Sequence, residues 1–170
     1  MNTIVDIQGF QSDANDFIPK EIAIQCTKEV LVILIKPPYP YHELSAVQKN
    51  TVDWVEKYRQ IFWEGGFVHY RNFRNCIEFL RNKNIYVKGF DKSTWLRDLL
   101  EDEYDDDSYC IRGIYNKFYN LEDFGCPSFS KLYEIYKDCN IKKCIYHPRH
   151  CAFTNVHYLS KWNADNKVFD

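Results

Sequence analysis

Thr3-Ile4-Val5-Asp6-Ile7-Gln8-Gly9-Phe10 is the stretch on which the reading of this chain turns. Ile4, Val5 and Ile7 are apolar and β-branched and Phe10 closes the run, the composition of a strand buried on both faces. Such a strand belongs at the centre of a sheet. Asp6 and Gln8 interrupt it two residues apart, and side chains alternate along a strand, so both point to one side. Either they are satisfied polar groups at a strand end beside a turn at Gly9, or they mark a metal or substrate site at the edge of a central strand.

Outward from this strand, Gln11–Asp16 is polar and turn-forming, and Phe17–Cys26 reads as a second strand through Ile18, Ile22 and Ile24. Pro19 near its start suits an edge or a strand beginning. Glu29–Lys36, with six consecutive aliphatic residues, reads as a third strand, and hairpin-like connections make the three antiparallel. Pro37-Pro38-Tyr39-Pro40 stops this sheet. From Ser45 the period becomes helical, with Val47, Thr51, Trp54, Val55 and Tyr58 on one face. Gly65-Gly66 breaks the chain, and His69–Asn82 resumes a helix through Phe73, Ile77 and Leu80. Ile85–Val87 is a short strand, Phe90–Leu96 opens a helix, and Glu101–Asp107 is an acidic, solvated loop or a lid for a basic partner. Ile111–Phe118 reads as a fifth strand, Cys126-Pro127-Ser128 introduces a short helix, and a last helix runs through Val156, Leu159 and Trp162. This order predicts a single α/β domain over residues 1–170, with a mixed five-stranded sheet flanked by helices. The first strand is expected at its centre, with strands four and five parallel beside it through right-handed crossovers. The site is expected at the carboxyl ends of the central strands.

Composition limits the function classes. A hydrophobic content of 45% with 17% aromatic residues excludes disorder. A formal net charge of −2 gives no global attraction to nucleic acid, so any such site must be a local basic patch. No apolar run reaches the length of a membrane span, and the first residues lack a signal-peptide layout, so no membrane partner is expected. Seven cysteines without an export signal point to a reducing, intracellular location, where cysteine serves as core filler, metal ligand or nucleophile.

Cys144-Ile145-Tyr146-His147-Pro148-Arg149-His150-Cys151 has the pitch of a zinc knuckle. A tight loop presents Cys144 and His147 to one ion, and Cys151 joins them from the first turn of the last helix. Cys126, on a separate turn, is the first choice for the fourth ligand; Cys139, His150 and a glutamate are alternatives. Without a metal, these cysteines would be small core residues.

The element order resembles the RNase H-like fold of the DEDDh 3′–5′ exonucleases, on particular motifs. The family's Asp-x-Glu strand motif corresponds to Asp6-Ile7-Gln8, and its second-strand run to Glu21-Ile22-Ala23-Ile24. Its middle aspartate corresponds to Gly89-Phe90-Asp91, and its final His, followed five residues later by Asp, to His150 and Asn155. The resemblance spans about Ile4 to Trp162 and implies a degenerate catalytic set of Asp6, Asp91 and His150. With Gln8 and Asn155 neutral, two of four acidic ligands are missing, and a Mg²⁺ or Mn²⁺ pair is not expected. His150, the general base of the intact family, is alternatively a zinc ligand or a cap of the last helix. Together with the Cys/His run, the chain looks most like the Maelstrom domain, an RNase H-like domain that lacks the exonuclease carboxylates and carries a Glu-Cys-His-Cys zinc site. Cys144, His147 and Cys151 match its last three ligands in order, with a shorter gap before the final cysteine. The resemblance implies a structural zinc and a small-RNA, transposon or RNA-processing context.

Arg71, Arg74, Arg81, Lys83, Lys88 and Lys92 form a basic stretch, and Lys142, Lys143 and Arg149 flank the Cys/His loop. Tyr70, Tyr86, Tyr146 and Trp95 lie among them, a mixture suited to single-stranded RNA or DNA or to an ordinary charged surface over a Tyr-rich core. Three function classes follow: a nucleic-acid-binding module on a decayed nuclease fold, a nuclease with residual or metal-independent chemistry, and a protein-interaction domain.

Overall fold

The computed structural model describes residues 1–12, 16–101, 116–147 and 150–170. Five strands form one mixed sheet: β1 (Asn2–Gln11), β2 (Phe17–Cys26), β3 (Glu29–Leu34), β4 (Asn84–Val87) and β5 (Lys117–Asn120), in the order β3-β2-β1-β4-β5. β1 pairs antiparallel with β2, and β2 with β3, whereas β4 lies parallel to both β1 and β5. The mixed sheet and the central first strand are as the sequence predicts. The third strand ends at Leu34 rather than Lys36, because Ile35 leaves the hairpin to bridge Val68. β5 runs on past Phe118 to Asn120, while residues 111–115 of the expected strand and 102–107 of the acidic run lie outside the described residues.

The helices are α1 (Ala46–Arg59), α2 (Phe73–Ile77), α3 (Phe90–Glu101), α4 (Phe129–Ile135) and α5 (Ala152–Asn166). Ser45 closes a capping box with Gln48 at the start of α1. This helix buries a narrow stripe, Val52 and Val55, against a small cluster containing Phe10, Ile18 and Trp63. Val47, Trp54 and Tyr58, read as sharing one face with Val55, are exposed. The helix expected over His69–Asn82 is two 3₁₀ turns around the short α2, whose start carries no side-chain cap. Phe73, Ile77 and Leu80 nevertheless enter the core. Among the described residues, no helix is long and apolar enough to cross a membrane.

Alternation along β1 divides the interior. Val5 and Ile7 face a cluster that includes Ile22, Ile24, Phe73, Ile77 and Leu96. Ile4 and its neighbour Ala23 face the opposite layer, where Leu132 of α4 and Val156, Leu159 and Trp162 of α5 cover the sheet. Asp6 and Gln8 follow Ile4 onto this α5 side. Gly9 is not a turn: β1 continues to Gln11, and the register shifts between Gln8 and Gly9. Gln8 pairs with Glu21 and Gly9 with Pro19, leaving Lys20 as the extra residue of a bulge. A Cβ at Gly9 would stand 2.1 Å from the Ile18 carbonyl oxygen, so only glycine permits this approach. The bulge places Glu21 across from Gln8, on the same face as Asp6.

Candidate functional site

Asp6 is fully buried, and both of its oxygens are occupied. Lys92 Nζ, from the first turn of α3, reaches Oδ1 at 2.6 Å. Gln8 Nε2 and Asn155 Nδ2 both donate to Oδ2, at 2.9 and 2.8 Å. A carboxylate only accepts, so the two amides must turn their NH₂ ends towards it. Their far ends are held as well: Arg59 Nη1 donates to Gln8 Oε1 at 3.5 Å, and the Tyr133 hydroxyl donates to Asn155 Oδ1. Burial, reinforced by the Asp6 charge, pushes the Tyr133 phenol far up, which keeps it a donor. A divalent ion at Asp6 would have to displace an ammonium and reverse two amides fixed at both ends.

The network forms the floor of a cleft of about 360 Å³ walled by Arg59, Lys88, Lys92, Phe129 and His150. Lys88, Lys92 and Glu122 also line an adjoining cavity of about 910 Å³ that contains Asp91 and Trp95. Lys88 is buried, donates to Glu122 Oε1 at 2.5 Å and lies over the Phe129 ring, as does Lys92. This hydrogen bond holds the Glu122 carboxyl below the usual range, although the group is half exposed.

Of the residues expected from the exonuclease resemblance, the structure joins Asp6, Gln8 and Asn155 directly and sets His150 on the same cleft wall. Asp91 is exposed in the wider cavity, and its neighbour Lys92 takes the place beside Asp6. His150 does not cap α5; the cap is Cys151, whose sulfur accepts from Thr154 N. Of the expected basic residues, Lys88 and Lys92 enter the cleft and Arg81 is bound to Glu78. Arg71, Arg74, Lys142 and Lys143 are exposed, Lys83 is partly buried beside Asn116, and Arg149 lies outside the described residues. Tyr70, Tyr86 and Trp95, read as base-stacking partners, pack in the interior, where Tyr86 stacks on Tyr119 and Phe169.

The second site lies at the same helix end. The ligand atoms of Cys144, His147 and Cys151 all fall within 4.8 Å of one another, a cluster able to hold a metal ion. Cys144 Sγ stands 3.6 Å from His147 Nδ1, which in turn stands 3.4 Å from Glu21 Oε1. Tetrahedral zinc at ordinary bond lengths separates a sulfur and a nitrogen ligand by about 3.5 Å, and a nitrogen and an oxygen ligand by about 3.3 Å. The Cys₂His donor set is compatible with zinc; Cys126 lies outside it, and Glu21, which meets it through His147, is a further carboxylate at its edge. Cys126 is buried in the apolar layer with Leu121, Leu132 and Tyr136, and its sulfur faces the Pro127 carbonyl. Cys139 is exposed, and neither it nor His150 belongs to the cluster.

The surroundings suit a cation. Glu21 is 2% exposed and is anchored through Oε2 by Ala152 N at 3.1 Å. Thr154 contacts Cys151 Sγ through both its backbone N–H and its hydroxyl, and receives a hydrogen bond from Cys144 N. Burial pushes the Cys151 thiol up to about 12, with further upward pressure from Glu21 and Cys144. A dication would reverse that penalty.

Sequence reading missed Arg59 and Tyr133, quoted Glu21 only as part of a strand motif, and expected Lys92 as a nucleic-acid contact rather than as the partner of Asp6. The signal for Glu21 was a carboxylate beside the apolar run Ile22-Ala23-Ile24 of a buried strand. No family model matches the chain, and no curated protein matches it significantly.

Proposed function

We propose that the chain is a single-stranded nucleic-acid-binding module on an RNase H-like scaffold, of the decayed-exonuclease kind most similar to the Maelstrom domain and stapled by structural zinc. The strand order, with an antiparallel triplet continued by two parallel strands, supports the scaffold. The contact of Glu21 with His147, which clusters with Cys144 and Cys151, supports the Maelstrom likeness. These four residues would hold the ion, which supplies folding energy and no chemistry.

The observation that carries the reading is the Lys92 ammonium on Asp6. The carboxylate that would anchor a catalytic metal is already neutralised by the protein's own cation. The cleft around it offers Arg59, Lys88, Lys92 and His150 to a phosphate backbone. The position of His150 on that wall favours, as a second reading, a metal-independent nuclease.

Labelled single-stranded RNA and DNA test the proposal, with and without Mn²⁺. The expected result is binding that weakens steeply with salt and no metal-dependent shortening. Stepwise shortening in Mn²⁺ that vanishes in Asp6→Ala would overturn the non-catalytic reading. Cleavage that survives chelation and Asp6→Ala but not His150→Ala would establish the second reading. Absence of binding at low salt would leave the protein-interaction class.

A further inference from the structure

On the exposed side of α1, Trp54 and Tyr58 stand one helical turn apart, 51% and 56% exposed. Their ring centroids are 5.2 Å apart at an interplanar angle of 41°. Neither contributes to the core, since α1 buries only Val52 and Val55. Two cations lie against them: Lys57 Nζ is 5.1 Å from the Tyr58 centroid, and Arg59 Cζ is 5.6 Å from that of Trp54. Single exposed aromatics need no explanation, but an exposed aromatic pair flanked by cations has the chemistry of a base-stacking platform.

Arg59 connects this platform to the cleft. The guanidinium that lies against Trp54 also hydrogen-bonds Gln8 at the Asp6 network. A chain of alternating phosphates and bases could thus place a phosphate by Arg59 and Lys92 and lay the adjoining base on Trp54. An apolar protein segment would use the rings but bring no anion to Lys57 and Arg59, so charge complementarity favours the polyanion.

We infer that Trp54 and Tyr58 are the base-stacking platform of a single-strand track that passes Arg59 into the cleft beside Lys92. The inference rests on the nucleic-acid-binding reading above and adds where the bases go. Trp54 is the most exposed of the tryptophans, with Trp63 and Trp162 buried and Trp95 partly buried against Phe17 and Phe73. Base stacking therefore has a direct optical signal.

The test titrates the intact protein with oligouridylate, oligothymidylate and an abasic strand of equal length, reading affinity and tryptophan fluorescence. Both base-bearing strands should quench fluorescence. Trp54→Ala should lose most of the quench and weaken binding about tenfold, the scale of one lost base stack. Trp54→Phe should lose the quench and keep most of the affinity, and the abasic strand should bind wild type and Trp54→Ala alike. Unchanged melting temperatures would show that these surface variants are folded. If wild type binds but Trp54→Ala/Tyr58→Ala binds both strands equally well, the platform is wrong and the binding module stands. An equal loss for the abasic strand would also overturn stacking. If wild type binds none of the strands at low salt, both readings fall and the aromatic face belongs to a protein contact.

Discussion

Asp6 and Glu21 lie on neighbouring strands and on the same face of the sheet, both out of solvent and both tied to α5. Asp6 meets an ammonium and two amide NH₂ groups, so its charge is compensated by the chain itself. Glu21 meets an imidazole whose neighbours are two thiols, none of which carries a fixed positive charge. Burying a carboxylate costs several kcal/mol unless a cation compensates it. One site has therefore internalised its cation, and the other, on the reading proposed above, would take one from solution. What separates them is the residue facing each carboxylate, not burial or position in the fold.

The most severe way to break this comparison is to deny the second site its ion. Chelation or Cys151→Ser should abolish stoichiometric zinc and destabilise the fold by several kcal/mol, or about 10 °C in melting temperature. Metal analysis and thermal unfolding check this together. Glu21→Gln should weaken zinc retention, whereas Cys126→Ala should keep one ion per chain. Retention by the first and loss by the second would return Cys126 to the ligand set.

A smaller effect comes from removing the built-in cation. Lys92→Met should leave Asp6 buried with amide donors alone and cost about 2–3 kcal/mol in urea unfolding, less than a fully enclosed pair because Lys92 is partly exposed. Asp6→Asn/Lys92→Met should recover most of that loss. Millimolar Mn²⁺ should stabilise Gln8→Glu/Lys92→Ala/Asn155→Asp and not the wild type. Stabilisation of the wild type would show that the ammonium yields its place.

The weakest test is at the cleft rim. Lys88 holds the Glu122 carboxyl below its usual range, so this pair stabilises the fold above the ordinary glutamate pKa. The contribution is lost as pH falls through the depressed folded value. Glu122→Gln should flatten the acid limb of stability only slightly, because solvent screens a half-exposed group. Urea midpoints at neutral and acid pH measure it.

The first three strands were legible because aliphatic, β-branched runs leave little choice of structure, and β2 begins and ends where its composition says, whereas β5 (Lys117-Phe118-Tyr119-Asn120) has no such run. Cys144, His147 and Cys151 were legible from spacing along one loop. Glu21 was not, since its place across from Gln8 depends on a bulge that skips Lys20, and alternation alone does not reveal register across a bulge. Lys92 was hidden by its neighbour. The motif directs attention to Asp91, but consecutive helical residues point about 100° apart, and it is Lys92 that turns to Asp6. On α1 the helical period was right, but the face it marks is mostly exposed, because the helix rests on a small cluster that needs only Val52 and Val55.

The first turn of α5 serves both sites with nearly consecutive residues: Cys151 and Ala152 on one side, Asn155 on the other, and Thr154 bonded to Cys151. These shared bonds tie it into one local unit. An excursion that frays this turn releases Glu21 and the cysteine cluster and, in the same event, withdraws the amide that pins Asp6. With the proposed zinc bound, ion occupancy at one end of the turn would thus govern how often the cleft floor comes apart, and the lifetime of that site would limit that of the Asp6 network.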